Sequence, residues 1–95
     1  MTEPLKINWN LERFFYRTME YDQNHRGSAY REIRKLGMLW VRNKIIIAFM
    51  NRKNCLIITV DDSFKEEHFK FLESFGFEIV GVSLDGEWNS YEIQF

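Results

Sequence analysis

From Met38 to Val60 the chain runs through an almost unbroken series of apolar side chains, most of them β-branched or aromatic. Only Arg42-Asn43-Lys44 and Asn51-Arg52-Lys53-Asn54 interrupt it. Such a run has to be buried, so it marks where the core of a 95-residue chain must lie. Its β-branched content and its two polar breaks predict three antiparallel strands, at about 38–42, 44–50 and 55–60. Ile45-Ile46-Ile47 and Leu56-Ile57-Ile58 do not alternate with polar residues. The middle strands are therefore expected to be covered on both faces.

Helical periods flank the run. Asn10 is a candidate N-cap for a first helix reaching about Asn24, with Leu11, Phe14, Phe15, Thr18 and Met19 as its apolar stripe. Residues 22–28 are polar and contain Gly27, which breaks the pattern. Ser28 caps a second, short helix with Tyr30, Ile33 and Leu36 on one side, and Gly37 ends it in the left-handed conformation. Ser63-Phe64-Lys65-Glu66 reads as a capping box for a later helix, with Phe64, His68, Phe71, Leu72 and Phe75 on one face and Gly76 past its end. Phe77–Leu84 and Glu87–Phe95 read as strands joined by an Asp85-Gly86 hairpin turn. Leu5–Trp9 alternates and reads as a short edge strand. The expectation is a single compact α+β domain over residues 1–95, of order (β)ααβββαββ. Its sheet is antiparallel or mixed, with five or six strands and helices packed on one face.

The composition suits one core and at most a shallow pocket or one docking face. Hydrophobic residues make up 45% and aromatic residues 17% of the chain, enough for large buried areas per side chain. One cysteine, Cys55, excludes an internal disulfide, and with two histidines it does not make a zinc site. The opening Met-Thr-Glu-Pro carries no signal-peptide pattern, and the longest apolar run, Ile45–Met50, is far too short to span a membrane. A cytoplasmic protein without cofactor is expected.

The charges are sorted along the chain. The formal net charge is only −1. Residues 25–53 carry Arg26, Arg31, Arg34, Lys35, Arg42, Lys44, Arg52 and Lys53 against Glu32 alone, a net +7. Residues 54–95 carry nine carboxylates against Lys65 and Lys70, a net −7. A polarised surface of this kind steers charged partners. The candidate binding residues for protein or nucleic acid are Tyr30, Arg31, Arg34, Lys35, Trp40, Arg42, Lys44, Arg52 and Lys53. Lysine and arginine bind phosphates, and unpaired bases stack on aromatic rings. Helices 10–24 and 28–36 could form a helix-turn-helix pair. Against this stand a sequence pI near 6.1 and the absence of a named nucleic-acid motif. Ordinary surface charges, partly paired with the acidic half, are the plainer reading.

Asp61, Asp62, Glu66 and Glu67 with His68 form an acidic cluster at a strand-to-helix junction, able in principle to hold a magnesium ion. Helix capping and the helix dipole explain the same acids without a metal. His68 falls on an apolar face and reads as a core-edge residue, while His25 sits in a polar loop. Cys55 reads as packed rather than reactive, having no neighbour that lowers its pKa. No phosphate-cradling glycine loop, nucleophile elbow or metal-ligand spacing occurs, so no catalytic residue is assigned.

Residues 71–81, Phe-Leu-Glu-Ser-Phe-Gly-Phe-Glu-Ile-Val-Gly, resemble the helix, Gly-Phe, strand segment near the end of GNAT acetyltransferases. The order (β)ααβββα is also similar to the first part of that fold. The resemblance implies an acyl-CoA pyrophosphate loop between the strand ending at Val60 and the next helix. Here that junction, Val60-Asp61-Asp62-Ser63-Phe64-Lys65, has no glycine and two acids that would repel a pyrophosphate. At most a degenerate GNAT-like acyltransferase is implied.

Some of Trp9, Tyr16, Tyr21, Trp40, Trp88 and Tyr91 must lie near the surface, where tyrosine, tryptophan and arginine anchor protein interfaces. The last strand reads as an exposed edge, able to pair with a second copy as a homodimer. The expected function is that of a small non-enzymatic binding protein. It would act as a regulator or inhibitor by docking on a larger macromolecule, with nucleic-acid-handling proteins as one such class. A nucleic-acid-binding module built on residues 25–53 is the alternative.

Overall fold

The computed structural model describes residues 8–20, 27–82 and 89–95. Three helices come first: α1 (Trp9–Arg17), α2 (Tyr30–Lys35) and α3 (Leu39–Met50). They are followed by β1 (Cys55–Val60), α4 (Glu66–Glu73), β2 (Glu78–Val82) and β3 (Asn89–Gln94). The fold is α+β, with the three strands in one antiparallel sheet of order β1-β3-β2.

The largest departure from the sequence reading is α3. Residues 38–42 and 44–50 are one helix, not two strands. Its buried positions, Val41, Ile45 and Ala48, recur at helical spacing, with Met38 one turn before them. Arg42-Asn43-Lys44, read as a turn, lies within the helix. The β-branched side chains accept it because the packing of one helical face outweighs their weak preference for strands. The three consecutive strands on which the acetyltransferase-like order rested are thus a helix and one strand. The described sheet has three strands rather than five or six.

Smaller corrections follow from the capping geometry. Asn8, not Asn10, caps α1, its Oδ1 accepting from the Leu11 amide at 3.1 Å. The helix ends at Arg17 rather than near Asn24. Trp9 belongs to this helix, and the rest of the predicted 5–9 strand lies outside the described residues, apart from the cap. Ser28 does not cap α2; its Oγ accepts from Arg17 Nε at 3.1 Å. The box expected from Ser63 and Glu66 is displaced by two residues. The Lys65 amide donates to Nδ1 of His68 at 2.9 Å, so the histidine does what the glutamate was expected to do. Ser63 instead donates, through its amide at 2.9 Å and through its hydroxyl, to Asp61 Oδ1. The Asp85-Gly86 turn lies outside the described residues, but the strands on either side of it do pair antiparallel.

Register fixes the two faces of the sheet. Leu56, Ile93 and Ile79 form one cross-strand row, and Ile58, Tyr91 and Gly81 the next, both on the helix-covered face. Ile57, Glu92 and Val80 form a row on the other face. Ile57 and Val80 stay 52% and 46% exposed, so β1 is covered on one face and not on both. The predicted C-terminal edge strand, β3, is in fact central. Both of its edges are occupied, so it offers no edge for pairing with a second copy.

The core joins all seven elements. Phe14 of α1 makes edge-to-face contacts with Phe75 at 5.0 Å and Phe77 at 5.1 Å, and Phe71 packs on Phe75 at 5.4 Å. Arg13 and Arg17 lie over the Phe75 ring, and Arg13 also donates to the Ser74 carbonyl at 3.2 Å, at the C-terminal end of α4. Ile33, Met38, Val41, Ile45, Ile58, Leu72 and Ile93 complete the core.

Two glycines are fixed by geometry. Gly37 (φ +69°) closes α2, with its amide bonded to the Arg34 carbonyl and the Met38 amide to the Ile33 carbonyl. Gly27 (φ +70°) donates to the Tyr16 carbonyl at 3.0 Å, and a Cβ there would lie 1.8 Å from the Met19 carbonyl oxygen. Gly27→Ala is expected to cost about 2 kcal/mol or more, through the positive φ together with this collision. A thermal melt should show a Tm lower by about 10 °C.

Candidate docking face on the second and third helices

α2 is a short helix with Ile33 buried. Arg31, Arg34 and Lys35 sit at i, i+3 and i+4, so they share its exposed side. Tyr30 is half-buried. At fewer than two turns, α2 is shorter than the 28–36 helix of the expected helix-turn-helix pair.

α3 has apolar side chains on both sides. Val41, Ile45 and Ala48 face the core. Trp40, Lys44 and Ile47 follow at i, i+4 and i+7 on the outer side, and Met50 lies one turn beyond Ile47. Ile47 is 59% exposed, Met50 75% and Trp40 39%. A water-facing helix surface is ordinarily polar, so this stripe is a surface with nothing yet on it.

The expected binding residues divide into two groups. Arg42 turns inward and ties α3 to the end of α1. Its Nε donates to Thr18 Oγ1 at 3.0 Å, and the fully buried Thr18 hydroxyl donates to the Phe14 carbonyl at 2.6 Å. Arg42 therefore uses one of its donors to hold the fold, and it lies within a helix instead of at a strand turn. Arg31, Arg34, Lys35, Lys44, Arg52 and Lys53 remain exposed. None of these six forms a salt bridge or a side-chain hydrogen bond with another described residue. Among the described residues they are ordinary surface charges that do not pair with the acidic half. The acidic half instead holds its own ion pair, Glu66 with Lys70 at 3.4 Å.

Arg52 stands out by its backbone. The chain leaves α3 with the Arg52 amide bonded to the Phe49 carbonyl at 2.9 Å and the Lys53 amide to the Ala48 carbonyl at 2.9 Å. This repeats the Gly37 exit, but with arginine at φ +61°, where glycine would be the relaxed choice.

The acidic junction is arranged differently. His68 is buried, stacked on Phe64 at 4.7 Å, with Nδ1 accepting from Lys65 and Nε2 donating to the Leu36 carbonyl at 3.2 Å. Both ring nitrogens are thus occupied in joining α4 to the end of α2. The Ser63 hydrogen bonds hold the Asp61 carboxyl below its usual pKa. A shallow cleft of about 220 Å³ lies between Trp40, Phe64, His68 and Asp61. Among the described residues, no group of three or more His, Cys, Asp or Glu side chains could hold a metal ion. No described helix is long and apolar enough to cross a membrane.

On the open face of the sheet, a hydrogen bond to Glu92 raises the Cys55 thiol above its usual pKa, aided by desolvation and by the Glu92 charge, with Lys53 opposing. A strand period over residues 38–50 hides the outer stripe of α3. The i, i+4, i+7 spacing of Trp40, Lys44 and Ile47 was the signal that could have found it.

No family model, curated protein or solved structure matches the chain at a significant level.

Two outcomes check this division of the cations. Arg42→Ala should lower stability by about 1–2 kcal/mol through the lost charged hydrogen bond, whereas Arg31→Ala, Arg34→Ala and Lys44→Ala should each stay within about 0.5 kcal/mol in urea denaturation. Arg52→Gly should stabilise the fold by about 0.5–1 kcal/mol by relaxing the helix exit. The raised Cys55 pKa gives a third. Alkylation by iodoacetamide at pH 8 should speed up in Glu92→Gln, because more of the thiol then ionises.

Proposed function

We propose that this chain is a small non-enzymatic binding protein. It acts as a regulator or inhibitor by docking on a larger protein through the outer stripe of α3, with the exposed cations of α2 and of the α3 exit steering the encounter. The uncovered Trp40–Lys44–Ile47–Met50 stripe carries this reading, because apolar side chains in water gain free energy when a partner covers them. Arg31, Arg34, Lys35, Lys44, Arg52 and Lys53, unpaired within the described chain, favour a partner whose apolar groove is rimmed by carboxylates. Such charges act mainly on the rate of encounter and on the choice of partner, while the apolar anchors supply affinity. The partner fitting this description is a cytoplasmic protein, with those that handle nucleic acids as one class.

The same six exposed cations, with an exposed Trp40 elsewhere in the basic segment, support a second reading, a nucleic-acid-binding module, and salt separates the two. Phosphate contacts weaken steeply as salt rises, whereas an interface anchored by Trp40, Ile47 and Met50 weakens little.

The test pairs two measurements. Fluorescence-anisotropy titrations with double-stranded DNA, single-stranded DNA and RNA at low salt should show no sub-micromolar binding. From extract of the source cells, immobilised protein should retain a specific polypeptide at moderate salt, and Ile47→Glu should reduce retention about tenfold or more. Tight nucleic-acid binding that is lost in Arg31→Glu with Arg34→Glu would replace this reading with the second one. A polypeptide retained equally by Ile47→Glu would remove α3 as the docking face.

A further inference from the structure

The molecule carries a second, partly exposed apolar surface, whose strand-borne charges are opposite in sign. On the open face of the sheet, Ile57, Glu92 and Val80 form one cross-strand row, and Cys55, Gln94 and Glu78 form the next. Every described charge that β1, β2 and β3 place on that face is a carboxylate, from Glu78 and Glu92. Ile57 and Val80 remain about half exposed there. In this row an apolar residue, a carboxylate and an apolar residue follow one another at about the 4.8 Å spacing of neighbouring strands. On the outer stripe of α3, Trp40, Lys44 and Ile47 set a cation between apolar neighbours at about the 5–6 Å spacing of adjacent helical turns. The two surfaces match in pattern and oppose in sign.

We infer that the open sheet face of one copy covers the outer stripe of α3 of another, in a head-to-tail, reversible self-association. Ile57 and Val80 pack against Trp40, Ile47 and Met50, and Lys44 meets Glu92. The layering supports this occupant. Within one copy, the inner side of α3 already packs on β1, as Val41 and Ile45 share a core with Ile58 and Val60. A second helix layer over the half-exposed Ile57–Glu92–Val80 row would complete a three-layer arrangement. Because the two surfaces differ, the contact is heterologous, and a stack as a whole keeps one free face of each kind, one at either end. The inference shares the α3 stripe with the proposed function, and a larger partner would compete with the second copy for it.

Sedimentation equilibrium with paired variants tests it. The wild-type chain should rise above its 11.6 kDa monomer mass as concentration increases, and less so in high salt. Ile57→Lys blocks the sheet face, and Ile47→Glu blocks the helix face. Each alone should stay monomeric with an unchanged far-UV CD spectrum, since both positions are exposed. An equimolar mixture of the two should form a dimer and nothing larger, because one open face of each kind remains. Val80→Lys should behave like Ile57→Lys and guards against a local effect of either site. A wild-type chain that stays monomeric at millimolar concentration would overturn the inference. So would a mixture that stays monomeric, or single variants that associate like the wild type. These outcomes leave docking on a larger protein standing, because retention of that partner is read separately.

Discussion

The fold depends on where Phe14 is placed. This one side chain, fully buried, meets Phe75 just after α4 and Phe77 just before β2 in two edge-to-face contacts. It therefore ties the N-terminal helix to the turn that feeds the sheet. Aromatic rings serve a chain of this size well, because each buries a large area for few rotatable bonds. Arg13 and Arg17 cover the Phe75 ring from the same helix. With these contacts made, the outward direction of α1 is fixed, and its last turn presents Thr18 to Arg42 of α3.

That second link separates structural charge from surface charge. Arg42 is held by a buried hydroxyl whose own proton goes to the Phe14 carbonyl. The cations of α2, Lys44 and the pair at the α3 exit have no such duty among the described residues. Among the described residues the basic segment thus holds one cation bonded within the fold, Arg42, and six that are exposed. The acidic junction shows the same economy. Asp61 is occupied by Ser63, and His68 bridges Lys65 and Leu36. Polar groups of the kind that suggest a metal or an acid–base pair are explained here by the need to satisfy a helix start. The exposed apolar side chains among the described residues include one helical stripe with a cation in it and one sheet row with a carboxylate in it.

Much was legible in residue order alone, and for identifiable reasons. Gly37 marked a helix end because its position needs positive φ. Cys55–Val60 read as a strand because β-branched residues bounded by polar turns suit a pleat. Phe71, Leu72 and Phe75 gave a helical face before Gly76. The reading failed between Met38 and Met50, where a dense apolar run supports either period and strand propensity was given too much weight. The helix caps differ as well: Asn8 rather than Asn10 caps α1, and at α4 the His68 ring reaches back as a glutamate would, two residues beyond the expected box.

By itself, the sequence determined the class of fold, the location of the apolar core along the chain, and the separation of a basic segment from an acidic one. Those are local properties, set by side-chain type, period and backbone preference. Only the tertiary structure decided that residues 39–50 form a helix, that β3 lies at the centre of the sheet, and which of the basic side chains are free. Each of these depends on contacts between residues far apart in the chain: Val41 and Ile45 against Ile58, β3 between β1 and β2, and Arg42 against Thr18. A side chain's neighbours along the chain do not reveal such contacts, because the pairing that satisfies the whole core overrides what each segment would prefer alone.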